Sequence, residues 1–336
     1  MDVQCMIDGK YLVVPMKDRT GRDVMTVILK RTFAVGPSGR VELCEDGAEV
    51  DLIDTSNGED PGKSSIRRPS QLFDHKPGTD VIVLGHAHPP LRRTVDHVDV
   101  SVRVGEVQKT VRAHGLRVWH RGTFGGISPG PALPIREPVP LVYELAWGGM
   151  DDTDPLHPQG EARNYVGLGI SRDPGALVDG RAAQLEYPDH PIGTRNNVPA
   201  SFGAIHRHWQ PRASFTGTFD QAWMDTRMPL LPKDFDERFH ISVPPDQWSS
   251  TPLRGDEMFE VESATLEGAW RFQIPRFLPG FSSFGPAGRV EHRTHLDTIL
   301  IDADAYRVEL TWRASVPLPR KHEMLDRVRI FEKTLV

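Results

Sequence analysis

The chain has 336 residues, enough for one large domain or two ordinary ones, with 38% hydrophobic and 26% charged residues, as in a water-soluble globular protein. Its 30 glycines and 29 prolines argue against a helical bundle and for strands joined by turns, because both residues interrupt helices. The formal net charge of −6 gives no basic excess to hold nucleic acid, and no apolar run approaches the ~20 residues that a membrane helix needs.

Taken in order, residues 1–50 read as antiparallel strands. Tyr11–Pro15 is a short apolar run, Asp23–Val35 a longer one rich in β-branched and aromatic residues, and Arg40–Cys44 returns after a turn at Gly36–Gly39. The first residues carry acids where a secretory signal would carry basic residues. Cys5 and Cys44 have no metal or redox spacing, and no disulfide is expected, which fits a reducing compartment. Residues 51–79 are polar and proline-interrupted, a long loop of the kind that is functional or docked on something. Asp80–Ala87 is a continuous apolar strand. Val95–Val104 alternates, with Val98, Val100, Val102 and Val104 on one face, and forms a hairpin with Val107–Ala113; Leu116–His120 adds an edge strand.

Residues 121–250 show little sustained period apart from Leu141–Trp147, and prolines recur every few residues. They read as an ordered irregular layer over the β core, anchored by Trp147, Trp209, Trp223 and Trp248, since one aromatic buries about 150–250 Å². Short helices are expected at Ala176–Leu185 or around Phe219–Met224. Strands return at Ala264–Ile274, Thr298–Asp302 and Tyr306–Ser315, with a hairpin turn at Asp302–Ala305. Leu325–Leu335 alternates as a strand but lacks Gly and Pro, so a terminal helix stays open.

The stretch Pro140–Asp151 carries the most chemistry. Leu141, Tyr143, Leu145 and Trp147 share one face of an expected strand, Glu144 is its one charged residue, and Gly148-Gly149 breaks it before the acids Asp151, Asp152 and Asp154. Glu144 reads as solvated or paired with an Arg, or as a general acid or base with a second titrating group. Asn164–Gly169, with Gly167 and Gly169, lacks the setting of a dinucleotide fingerprint. Asp151–Asp154 lacks the glycine and twelfth-position glutamate of a calcium loop. His86 and His88 share one face of a strand, His206 and His208 repeat the spacing, and His292 with His295 is another close pair. Convergence of three or four would make a zinc or copper site, whereas 14 histidines also yield such pairs by chance. Arg254, Gly255, Asp256 and Glu257 read as a salt-bridged turn. Pro244–Gln247 beside Trp248 is a stiff extended segment suited to core anchoring or to protein contact. There is no nucleophile elbow, phosphate loop or plausible cysteine nucleophile.

Several segments together carry a resemblance. Tyr143-Glu-x-Ala-aromatic-Gly-Gly-x-Asp151 and Asn164-x-Val-Gly-x-Gly169 resemble the signature of the domain-of-unknown-function family 2169 (DUF2169). Lys76–His88, Pro229–Asp236, Pro244–Gln247, Leu253–Glu257, Leu296–Asp302 and Leu310–Arg313 match in the same order, so the resemblance covers nearly the whole chain. It implies a bacterial protein encoded beside a type VI secretion system, acting as an adaptor or chaperone that loads a toxic effector onto the VgrG spike. It also marks Tyr143, Glu144, Trp147, Gly148, Gly149, Asp151, Asn164, Gly167, Gly169 and Arg254–Glu257 as motif residues.

The expected fold is mainly β, an antiparallel sandwich or barrel-like core built from both ends of the chain. Residues 1–120 and 251–336 supply the strands of one domain, and 121–250 the irregular layer. The expected function is non-enzymatic, cytoplasmic and without cofactor, with protein partners (a secreted effector and a VgrG-type spike) and neither nucleic acid nor membrane. Two rivals remain: a hydrolase using Glu144 or Asp151 with histidines, and a structural component that travels with the exported spike.

Overall fold

β-branched and aromatic residues crowd both ends of the chain, and both ends form strands. A computed structural model describes residues 1–123, 125–193, 196–286, 288–318 and 325–333. The first part of the chain gives β1 (Asp2–Cys5), β2 (Lys10–Lys17), β3 (Asp23–Val35), β4 (Val41–Leu43), β5 (Thr79–Leu84), β6 (His97–Val104) and β7 (Val107–His114). The middle contributes one α-helix, α1 (Gln221–Thr226), and the last part gives β8 (Met258–Glu262), β9 (Ala269–Gln273) and β10 (Pro279–Gly285). After these come β11 (Gly288–His292), β12 (His295–Asp302), β13 (Arg307–Pro317) and β14 (Arg327–Glu332).

Three sheets dominate, none closed into a barrel. The largest runs Trp248–Ser249, β5, β12, β13, β3, β2, with β4 added on β3. A second runs Leu185–Glu186, β7, β6, β8, β9, and a third β1, β14, β10, β11. Most pairings are antiparallel, but β5 lies parallel to β12 (Asp80 opposite Thr298) and β1 parallel to β14 (Asp2 opposite Arg327). Those two pairings join residues more than 200 positions apart, beyond the reach of any hairpin rule.

All six residues of β5 are buried, and the large sheet explains why its sequence is a continuous apolar run. Val81 and Val83 face one way, into the main core with Ile299, Ile301, Val100, Val102, Phe259 and Trp270. Ile82 and Leu84 face the other way, onto Ile241, Val243, Ala204 and Ile66 of the irregular segments. The third sheet adds Phe281, Val328 and Ile330 to the main core. β6 keeps the expected alternation, its four valines buried while His97, Asp99 and Arg103 are exposed. β14 settles the terminal stretch as a strand; residues 334 and 335 of that stretch lie outside the described residues.

Residues 51–78 are docked on the second face of the large sheet. The Lys30 ammonium, 1% exposed, sits 2.6 Å from Asp51, and Arg68 bridges Asp51 (2.8 Å) and Glu309 (2.5 Å). Further along, Arg313 donates to Asp297 (2.7 Å) and to the carbonyls of Phe73 and Gln71. Lys76 donates to Asp80 (2.7 Å), whose same oxygen accepts from the Ser242 backbone and hydroxyl. Buried charges are tolerated here because each is paired and hydrogen-bonded.

Of the two short helices offered for the irregular middle, the one around Phe219–Met224 is present as α1. Ala176–Leu185 is a single 3-10 turn, Pro174–Leu177, after which Asp179 takes φ 65 and the chain extends into Leu185–Glu186. The expected strand over Ala264–Ile274 starts only at Ala269, because Ser263 at φ 61 turns the chain first. Of the four tryptophans expected as anchors, Trp209 is 1% exposed, whereas Trp147, Trp223 and Trp248 are half-buried.

Candidate functional site

The expected strand over Leu141–Trp147 is not one strand. Val139–Pro140 pairs with His86–Ala87, Tyr143–Leu145 makes a 3-10 turn, and Trp147–Gly148 pairs in parallel with Leu168–Gly169. The alternation foretold the inward side chains, Leu141, Tyr143 and Leu145, all buried. It could not foretell that the backbone carbonyls here are taken by a side chain. Asn164, fully buried, donates its amide to the carbonyls of Tyr143 (2.8 Å) and Trp147 (2.9 Å), which offers the chain an alternative to a strand ladder.

The two halves of the motif therefore form one crossing. Gly148 sits at φ 145, and a methyl group on it would come within 2.3 Å of the Asn164 carbonyl oxygen, so only glycine fits. Gly149 donates to that carbonyl (2.8 Å), and Gly167 and Gly169 bring the second segment alongside the first. The Trp147 ring meets Trp119 edge-on at 6.0 Å, and Tyr143 meets Trp209 edge-on at 5.6 Å.

The motif acids are all engaged. Glu144 accepts from the backbone N–H of Ser65 and from its hydroxyl, both at 2.7 Å, and so pins the docked loop. Asp151 accepts from the Thr153 N–H and hydroxyl and from the Arg172 N–H. Those bonds, the Thr153 hydroxyl first, hold its carboxyl down at about 2. Glu257 accepts from the N–H groups of Arg254 and Gly255, both at 2.8 Å, and the Arg254 guanidinium lies 3.0 Å from Asp256, the salt-bridged turn that was expected.

The histidines disperse. His86 pairs through Nδ1 with Asp304 (2.8 Å), while burial lowers the His88 imidazole. His206 donates from Nε2 to the Ser64 carbonyl (2.9 Å), and His208 stacks on Tyr165 at 6.0 Å. His292 bonds the Ser283 hydroxyl and His295 the Lys76 carbonyl. Among the described residues no three His, Cys, Asp or Glu side chains converge to hold a metal ion.

Two clefts flank the motif. One, of about 440 Å³, mixes apolar walls (Leu84, Pro140, Val142) with His86, Asp304, Arg67 and Glu144. The other, of about 550 Å³, is walled by Tyr143, Tyr187, Pro199, Pro211, Pro244 and Pro245. Asp246 sits in its wall, where it accepts from the Tyr187 hydroxyl (2.8 Å) and lies 3.2 Å from the wholly buried Lys109 ammonium. Burial pushes the Lys109 ammonium down, against the opposing pull of Asp246. Burial, and then Asp246, push the Tyr143 and Tyr187 hydroxyls well above the usual tyrosine range.

Pro244–Gln247 takes the core-anchoring role of the two considered for it. Gln247 is 1% exposed and donates to the carbonyls of Val81 (2.7 Å) and Phe202, while Pro244, Pro245 and Asp246 face the cleft. Lys109 and Tyr187 carried no signal in the sequence. Their one hint is that a lysine at a core-facing position of β7 needs an acid to pair with.

Fold and clefts together define a mainly β, layered-sheet protein whose signature residues close its own backbone. The chain belongs to the DUF2169 family, described as an uncharacterized protein conserved in bacteria, whose sequence profile matches residues 20–313. No curated protein matches the chain, and no solved structure matches it.

Proposed function

We propose that this protein is a non-enzymatic adaptor that holds a secreted toxic effector in the cytoplasm and delivers it to a VgrG-type spike of a type VI secretion system. The family resemblance supplies the cargo and the destination. The observation that carries the adaptor role is the excursion around α1. Phe219 (55% exposed), Met224 (54%) and Met228 (63%) face solvent there, with the Phe219 ring packed edge-on against Trp223 at 4.8 Å. Flexible methionines beside an aromatic suit the docking of a protein surface. The motif acids Glu144, Asp151 and Glu257 are by contrast occupied by backbone donors. Among the described residues no helix is long and apolar enough to cross a membrane.

A second reading is favoured by one observation: His86, already oriented by Asp304, shares a cleft with Glu144, as a hydrolase would require. Against it stands Glu144 itself, both of whose oxygens are held by Ser65. The test is a pull-down of tagged protein from the native cell, followed by size exclusion and metal analysis. Co-elution of a toxin-like protein and the spike supports the adaptor. A lone protein that retains about one zinc per chain overturns it and moves His86 to the centre.

A further inference from the structure

Tyr143 is 2% exposed, yet among the described residues no group hydrogen-bonds its hydroxyl. The ring is buried while the hydroxyl oxygen keeps access to the cleft, since it is not among the buried polar atoms without a partner. This hydroxyl belongs to a residue that lines the 550 Å³ cleft, where Tyr187 and Asp246 also face. The cleft therefore combines apolar proline and tyrosine walls with a small set of convergent polar groups at one end, the arrangement of a preformed ligand site.

The charges decide what enters. Lys109 lies wholly buried behind Asp246 and offers nothing to a ligand except neutralisation of part of that carboxylate. Arg163, the cation on the cleft wall among the described residues, is clamped by Glu161 through two bonds (2.7 and 2.8 Å) and donates again to the Asn197 carbonyl. The His190 ring is taken by the Asn196 carbonyl. What remains among the described residues is two carboxylates, Asp246 and, exposed at the rim, Asp189, with the Tyr143 hydroxyl and the Gln210 amide, which can each donate or accept. An anion would be repelled by the Asp246 and Asp189 carboxylates, and a purely apolar group would leave the Tyr143 hydroxyl unpaired.

We propose that the cleft binds an arginine side chain presented by an extended segment of a protein partner. The three-carbon stem lies against the prolines, the planar guanidinium stacks against Tyr187, and its donors reach Asp246, Asp189 and the Tyr143 oxygen. Lysine lacks the planar fork and is more strongly hydrated, so it fits the walls less well. The identity of the partner rests on the adaptor reading; the chemistry of the cleft does not.

The test titrates the full-length protein with N-acetyl-arginine methylamide and, separately, with the citrulline analogue, which has the same shape and no charge, and follows binding by ligand-observed NMR. The expected result is about tenfold weaker binding of citrulline, the weight of a charge-assisted contact. Tyr143→Phe and Asp189→Asn should each weaken the arginine probe about threefold or more with an unchanged melting temperature, since one removes a hydroxyl without a partner and the other an exposed group. Equal binding of the two probes, no binding of either, or unaltered arginine binding by both variants overturns the proposal. Cargo capture that survives both variants also sinks the cleft while leaving the adaptor standing. Arginine binding by a protein that captures no cargo supports the cleft and sinks the adaptor.

Discussion

The Asn164 side-chain amide lies 2.8 Å from the carbonyl oxygen of Tyr143 and 2.9 Å from that of Trp147, and so ties two separate segments of the family motif into one knot. The signature is thus a folding device before it is anything else.

Asn164→Ala should lower the free energy of unfolding by about 2–4 kcal/mol, because two buried carbonyls lose their donor and a small cavity opens. Asn164→Asp should be worse, since it turns an acceptor toward two acceptors. Urea unfolding of the three proteins gives the ranking; a loss below about 0.5 kcal/mol for alanine would show that the knot is held by something else.

Gly148→Ala should cost at least about 2 kcal/mol or prevent folding, because the new methyl group meets the Asn164 carbonyl at a positive φ. The matched control is Gly268→Ala, at φ 84 but facing open space, which should cost about 1 kcal/mol. Equal losses at the two sites would remove the close approach from the explanation.

Arg313 and Asp297, both 0% exposed, form an ion pair that anchors the docked loop. Arg313→Met should destabilise by about 3–5 kcal/mol, because it leaves an uncompensated buried carboxylate. Adding Asp297→Asn to Arg313→Met should recover part of that loss, and a double-mutant cycle measures how much. Strict additivity of the two changes would mean that the pair is uncoupled.

Glu186 makes the acid limit of stability readable. Burial alone would raise its carboxyl, but the bonds from His114 and Arg117 outweigh burial and hold it at about 2 instead of the ordinary 4.5. A depressed carboxyl stabilises the fold fully above its unfolded value and loses that contribution as pH falls toward the folded value. Wild-type protein should therefore lose on the order of 3 kcal/mol between about pH 4.5 and 2 through this group. Glu186→Gln should be less stable at pH 7 and flatter across that window; parallel slopes from denaturant titrations would refute the assignment.

Met224→Asp and Met228→Asp, both at exposed positions, should leave the melting temperature within about 2 °C of wild type and reduce effector recovery in the pull-down at least about fivefold. Unchanged recovery would move the docking surface away from the α1 excursion.

What the sequence revealed depended on how local the determinants were. The strand Asp23–Val35 was visible residue by residue, since β-branched residues fill it and turns bound it. The four valines of β6 declared their face, because a half-buried strand must alternate. Pro279–Gly285 was invisible: glycines, serines and a proline leave no strand pattern there, and only its place between β14 and β11 makes it a strand. The site followed the same rule. Glu144 was singled out, but its partner Ser65 lies 79 positions away, and the Tyr187–Asp246 contact spans 59. No spacing rule reaches so far, so the cleft emerges only when the sheets bring those segments together.

Each of the three main sheets draws strands from before residue 120 and from after residue 250. During synthesis the first strands must then wait for their neighbours. At about 5–20 residues per second, the roughly 200 residues still to come take on the order of 10–40 s, with apolar sheet edges unpaired throughout. A protein proposed to shepherd others is, while it is being made, one that needs shepherding itself. Neither half expressed alone has the strands to finish a sheet, whereas the two halves produced together carry all of them.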